Sequence, residues 1–173
     1  MSAQNLIEGS ITLDTNPSFS HLVRSPVLLL AFGFGSGLSP KAPGTVGTIA
    51  AIPLWYLLVQ LPPQTYVVVV AICVIIGIFI CGSAADKLGV HDHGGIVWDE
   101  FVGFWITMAF LPVSYVSVLV GFILFRLFDI FKPWPISWLD KNIGGGLGIM
   151  IDDVVAGLAA GGSFVLLQSL HLV

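Results

Sequence analysis

In a chain of 173 residues, 56% are hydrophobic, 9% are charged, the net charge is −4 and the mean hydropathy is +0.98. A soluble domain carries about 25% charged residues, so this composition excludes an ordinary soluble protein and fits a single-domain integral membrane protein. The acidic balance also leaves no basic stripe for nucleic acid.

In chain order, residues 1–20 are polar, contain Glu8 and Asp14, and place no Lys or Arg ahead of an apolar core. They read as a flexible N-terminal segment rather than a cleaved signal peptide, and residues 21–173 as one membrane-embedded domain. Residues 21–30, interrupted by Arg24 and Pro26, suit a short interfacial helix. The stretch GFGSGLSPKAPGTVG, residues 33–47, holds five of the twenty glycines. It reads equally as an anion-binding loop, with Lys41 supplying charge beside Thr45, or as a tight connection between packed helices.

Residues 46–61 and 66–82 carry no charge and form a helical hairpin through the turn at 62–65. At about 1.5 Å per residue each reaches ~24–26 Å, nearly enough for a ~30 Å hydrocarbon core. Cys73 and Cys81 lie eight positions apart on one run, too far for a disulfide in a continuous helix. The segment HDHGGIVWDE follows. His91, Asp92 and His93 read as residues that orient the loop, whereas Asp99 and Glu100 open the next apolar run, 101–111, and read as metal ligands in competition with simple helix capping. Residues 115–131 form a further apolar helix that carries Arg126 and Asp129, three apart on one face, and stops ahead of Pro133. Trp134 and Trp138 suit the headgroup level. Asp152 and Asp153 then read as a repeat of the earlier pattern, two acids opening the last apolar stretch, 154–173.

Seven of the sixteen charged residues lie in the twenty-eight positions from 126 to 153. Charge near a membrane is costly unless it is paired, hydrated or bound to metal. Five membrane crossings put every Lys, Arg, Asp and Glu on one side, which the positive-inside rule makes cytoplasmic. The expected fold is therefore an all-α, polytopic membrane helical bundle with an acidic, Gly-rich site at its cytoplasmic face. Carboxylates without thiolates select a hard cation such as Mg²⁺, with Asp99, Glu100, Asp129, Asp152 and Asp153 as the candidate ligands. Lys41, Thr45, Arg126, Lys132 and Lys141 are the candidate phosphate binders. Metal-assisted attack of water on a phosphate monoester fits these parts, with Asp99, Glu100, Arg126, Asp129, Lys132 and Asp153 in catalysis.

The segments GFGSGLSPKAPGTVGT, GVHDHGGIVWDEFVGFWIT, FRLFDIFKPWPISWLD and GGLGIMIDDVVAG, in that order, resemble those of the phosphatidylglycerophosphatase A family, from about residue 29 to the C-terminus. The resemblance implies an all-helical enzyme of the bacterial inner membrane that uses Mg²⁺ to dephosphorylate phosphatidylglycerophosphate to phosphatidylglycerol. A transporter is disfavoured because the charges group at helix ends on one side. A phosphoalcohol transferase acting on a nucleotide-activated lipid is disfavoured because the chain lacks a D-G…A-R…G…D…D run.

Overall fold

In the computed structural model, which describes residues 17–90 and 93–170, every regular element among those residues is helical. Two short helices, α1 (Phe19–Arg24) and α2 (Pro26–Ala31), lead into a 3-10 segment, Gly33–Leu38. The larger helices follow: α3 (Pro43–Leu58), α4 (Pro63–Leu88), α5 (Trp98–Met108), α6 (Tyr115–Phe131), the short α7 (Ile136–Asn142) and α8 (Gly145–Ser169). The flexible segment expected at 1–20 lies mostly outside the described residues, as do His91 and Asp92.

Local chemistry sets the boundaries. Proline opens α2, α3 and α4, where its missing N–H has no partner to lose. The Ser114 hydroxyl caps α6 by accepting from the Ser117 N–H at 3.0 Å. Lys132 in a left-handed conformation ends α6 one residue ahead of Pro133, so this helix has the expected bounds.

Three expectations need correction. The helix expected to stop at Gly82 continues to Leu88 and ends at Gly89, whose φ of 67° suits glycine; Asp86 and Lys87 therefore lie within α4. The turn of the first hairpin falls at 59–62 rather than 62–65. The last helix starts at Gly145, so Asp152 and Asp153 lie about two turns inside it and do not open it. Most of the run Gly144-Gly145-Gly146-Leu147-Gly148 is helix, and a Cβ on Gly146 or Gly148 would strike backbone carbonyls.

Helix α5 is the centre of the bundle. Its residues Trp98, Phe101, Val102, Gly103, Phe104, Trp105, Ile106, Thr107 and Met108 are all buried, and α3, α4, α6 and α8 surround it. Helix α8 packs in turn on α4, α5, α6 and α7. Three of the buried aromatics end their polar tips on backbone carbonyls: Trp105 donates to Ala51 at 3.1 Å, Trp98 to Cys73 at 3.3 Å, and the Tyr66 hydroxyl to Trp105 at 2.6 Å. Cys73 and Cys81 form no disulfide.

The outside of the bundle is apolar as well. On α4, Val68, Ile72, Ile75 and Phe79 project outward at helical spacing, and on α6 Val116, Leu119, Ile123, Leu127 and Ile130 do the same. Such faces are solvated by lipid rather than water. Helices α4 and α8, of 26 and 25 residues, are long and apolar enough to cross a membrane, and α3 is a shorter apolar helix. The chain is a membrane protein.

Candidate active site

Glycine contacts bring two acidic segments together. A Cβ on Gly157 of α8 would press into the Gly103 carbonyl of α5, and one on Gly103 would sit 2.8 Å from the Asp153 carbonyl. Only hydrogen at both positions lets the backbones meet. The Thr107 hydroxyl lies across the crossing, 3.0 Å from the Gly103 carbonyl and 3.3 Å from that of Gly157. Asp99 precedes Gly103 by four residues and Asp153 precedes Gly157 by four. Each acid thus stands one turn from the crossing on the same helix face. A second close approach, Gly146 against the Ile78 carbonyl and Gly82, fixes α8 on α4.

The result is a carboxylate cluster. One oxygen each from Asp99, Glu100 and Asp153 lies within 4.8 Å of the others. Asp99 Oδ1, Glu100 Oε2 and Asp153 Oδ2 are buried without a hydrogen-bond partner. Capping does not account for them: the first residue outside α5 is Val97, no side chain caps that end, and Asp153 lies in a helix interior whose N–H groups are already bonded. At an effective dielectric of about 20, two full charges at this spacing repel by about 3 kcal/mol, so the bare trio costs on the order of 10 kcal/mol. That equals the whole stability of many domains. A cation, or protons in its absence, must neutralise the cluster, and three hard oxygen donors with free lone pairs are what a divalent cation needs.

The trio lines a cavity of about 160 Å³ together with Asp129, Lys132, Asp140 and Asp152, closed by Gly94, Ile96, Ile143, Gly148 and Ile149. This is room for about five waters, enough for a phosphate group but not for acyl chains. Two cations balance the acids around it. Arg126 pairs with Asp129 and lies 3.8 Å from Glu100, with all three side chains 13% exposed. Lys132 lies 2.5 Å from Asp140 and 2.6 Å from Asp152. Burial opposes the charge on Lys132, but these two carboxylates outweigh it and hold the ammonium pKa above its ordinary value. Lys132 is therefore a cation at any physiological pH.

Other expected site residues lie apart from this cavity. Lys41 and Lys141 are exposed and do not line it, and neither does Thr45. His93 accepts from the Gly95 N–H at 3.0 Å and packs on Phe32. His91 and Asp92 lie outside the described residues.

Two features were missed in the sequence. Asp140, a cavity residue, meets Lys132 only because the backbone turns at 132–135. Gly44, the second residue of α3, abuts the Glu100 carboxylate, and a Cβ there would collide with it. The glycine-rich stretch is thus a packing element, and the anion next to the positive end of α3 is the protein's own carboxylate. Its run of glycines was the available signal.

A family model described as phosphatidylglycerophosphatase A matches residues 29–168. The chain is 55% identical over 139 residues to phosphatidylglycerophosphatase A of Escherichia coli strain K12, covering 80% of this chain and 81% of that protein. It is 44% identical over 149 residues to the phosphatidylglycerophosphatase A of Haemophilus influenzae, covering 85% and 91%. A third relative, from Bacteroides thetaiotaomicron, bears the name putative phosphatidylinositol-3-phosphatase and is 40% identical over 147 residues, covering 81% and 90%. No solved structure matches the chain.

Proposed function

The chain belongs to the phosphatidylglycerophosphatase A family, and on that premise we propose that it hydrolyses the terminal phosphate monoester of phosphatidylglycerophosphate, giving phosphatidylglycerol and inorganic phosphate in glycerophospholipid synthesis. The observation that carries this reading beyond relatedness is the cavity's charge: six carboxylates and one lysine line a space of phosphate size. Such a space repels a phosphate dianion unless a divalent cation occupies it, so the cavity suits metal-dependent phosphate chemistry and little else. Phosphate released from the pure lipid by the purified protein, with no nucleotide present, is the expected result. Turnover that requires a nucleotide-activated lipid would overturn the assignment.

Mg²⁺ is the cation assigned, with Asp99, Glu100 and Asp153 as its ligands and Asp129 and Asp152 flanking them. When bound, it supplies a Lewis acid that polarises phosphoryl oxygens and activates water. The chain's own groups do the rest. Lys132, the cation of the cavity wall, attracts the phosphate and offsets charge that develops on the leaving oxygen. Asp152 holds Lys132 in place. Arg126 holds Asp129 and Glu100 in place by standing between them, a role different from the phosphate grip expected of it. The narrow cavity admits the phosphate end of the lipid and leaves the acyl chains in the bilayer.

The same reading places the enzyme in the bacterial inner membrane with five crossings. The connections at 59–62 and 109–114 hold no charged residue, whereas the cavity and all six Lys and Arg lie toward the other end of the bundle. The positive-inside rule then puts the cavity at the cytoplasmic face. With Cys73 and Cys81 replaced by alanine, a Gln60→Cys variant reacts with an impermeant thiol reagent added outside the inner membrane, and a Lys141→Cys variant reacts only after the membrane is opened. The reverse pattern would contradict this orientation.

A further inference from the structure

Beside the acidic cavity lies an apolar hollow of about 460 Å³ formed by Trp134, Pro135, Trp138, Leu139 and Val155. Trp134 is 82% exposed and Trp138 54% exposed, unusual for the largest apolar side chain, and neither indole forms part of the core. Neighbouring positions of the same two helices line both sites. Leu139 of the hollow is followed by Asp140 of the cavity on α7, and Val155 of the hollow stands one turn from Asp152 of the cavity on α8. Lys132 joins Asp140 to Asp152. An exposed aromatic shelf therefore lies beside a charged, phosphate-sized cavity, with a cation near both.

We propose that this shelf seats the glycerol-backbone and upper acyl portion of the lipid substrate while its terminal phosphate occupies the cavity, making Trp134 and Trp138 residues that set the preference for membrane-borne phosphomonoesters. The proposal rests on the phosphatase reading above. Its geometry follows from the substrate class: a lipid phosphomonoester carries its apolar chains within one headgroup length of the phosphate, so a cavity too small for chains needs an apolar surface at its mouth. The shelf is an apolar surface beside the cavity, and the Lys132 ammonium near both matches the anionic phosphodiester that links the two ends of such a lipid. The indoles offer an apolar body with a polar N–H, suited to the headgroup boundary.

The test compares long-chain phosphatidylglycerophosphate in mixed micelles with its water-soluble dibutanoyl analogue, which has the same two phosphates and almost no chain to lie on the shelf. In the Trp134→Ala/Trp138→Ala protein, KM for the long-chain lipid rises on the order of tenfold with kcat nearly unchanged. Kinetics on the dibutanoyl analogue stay within about twofold, and Trp138→Phe retains most of the long-chain preference. Equal loss on both substrates, or no loss on either, would overturn the proposal. So would a change in oligomeric size in detergent without a change in long-chain KM, which would make the shelf a contact between copies of the chain. If the unaltered protein releases phosphate from neither substrate, the phosphatase reading fails first, and that result is distinct from a failure of the shelf.

Discussion

Asp153→Asn is expected to reduce phosphate release on the order of a thousandfold while leaving the bundle folded and inserted. Asn keeps the size and shape of the side chain but removes the charge that draws a hard cation out of water. What makes the result diagnostic is its effect on stability. Asp153 is 3% exposed, has an oxygen with no partner, and stands with Asp99 and Glu100 in a cluster whose like charges repel by about 3 kcal/mol per pair. Removing one of them relieves two such repulsions. The variant should therefore unfold at the same or a higher temperature than the unaltered protein when both are measured in chelator, and gain less from added Mg²⁺. An acid retained for packing or hydrogen bonding behaves the opposite way, losing stability and activity together. A variant that unfolds well below the parent in chelator would remove Asp153 from the ligand set.

Gly157→Ala should produce the next largest effect. The added methyl would meet the Gly103 carbonyl, which is backbone and cannot turn aside, so α5 and α8 must separate. Forced overpacking of this kind costs about 1–3 kcal/mol. The separation acts on the site directly, because Asp99 and Asp153 each stand one turn from the crossing. A displacement of about 1 Å among reacting groups reduces turnover on the order of a hundredfold. Gly162→Ala is the matched control: it lies on the same helix with nothing within 4 Å of the new methyl, and should be neutral or slightly stabilising. Equal activity in the two variants would show that the crossing does not set the site.

The parts of this arrangement that were legible from the sequence are those that depend on local spacing. The residues of α6 are continuous in hydropathy and end at a proline, so both ends could be read. Arg126 and Asp129 lie three apart, and they pair. Asp99, Glu100 and Asp153 were expected on one face because each stands at the charged end of an apolar run, and they converge. Hydropathy misplaced the start of α8, because glycine and aspartate look like loop residues until the partner helix is known. Asp152 and Asp153 are tolerated in a helix interior since the cavity, not lipid, faces them.

The partnerships across elements were not legible. Asp140 meets Lys132 through a left-handed residue followed by a Pro-Trp-Pro turn, and no periodicity reports that geometry. Lys41 and Lys141 have the right charge for phosphate but are exposed and do not line the cavity, a placement composition cannot report. Gly44 is visible only as one glycine among several until the Glu100 carboxylate is found against it.

The central claim is that the carboxylate trio works as a divalent-cation site on a lipid phosphomonoester. Its most direct test is phosphate release from phosphatidylglycerophosphate by the purified protein after stripping with EDTA and again after Mg²⁺ is restored. No turnover in chelator and full recovery with Mg²⁺ are expected, with no recovery for Asp153→Asn. Undiminished turnover in chelator would contradict it.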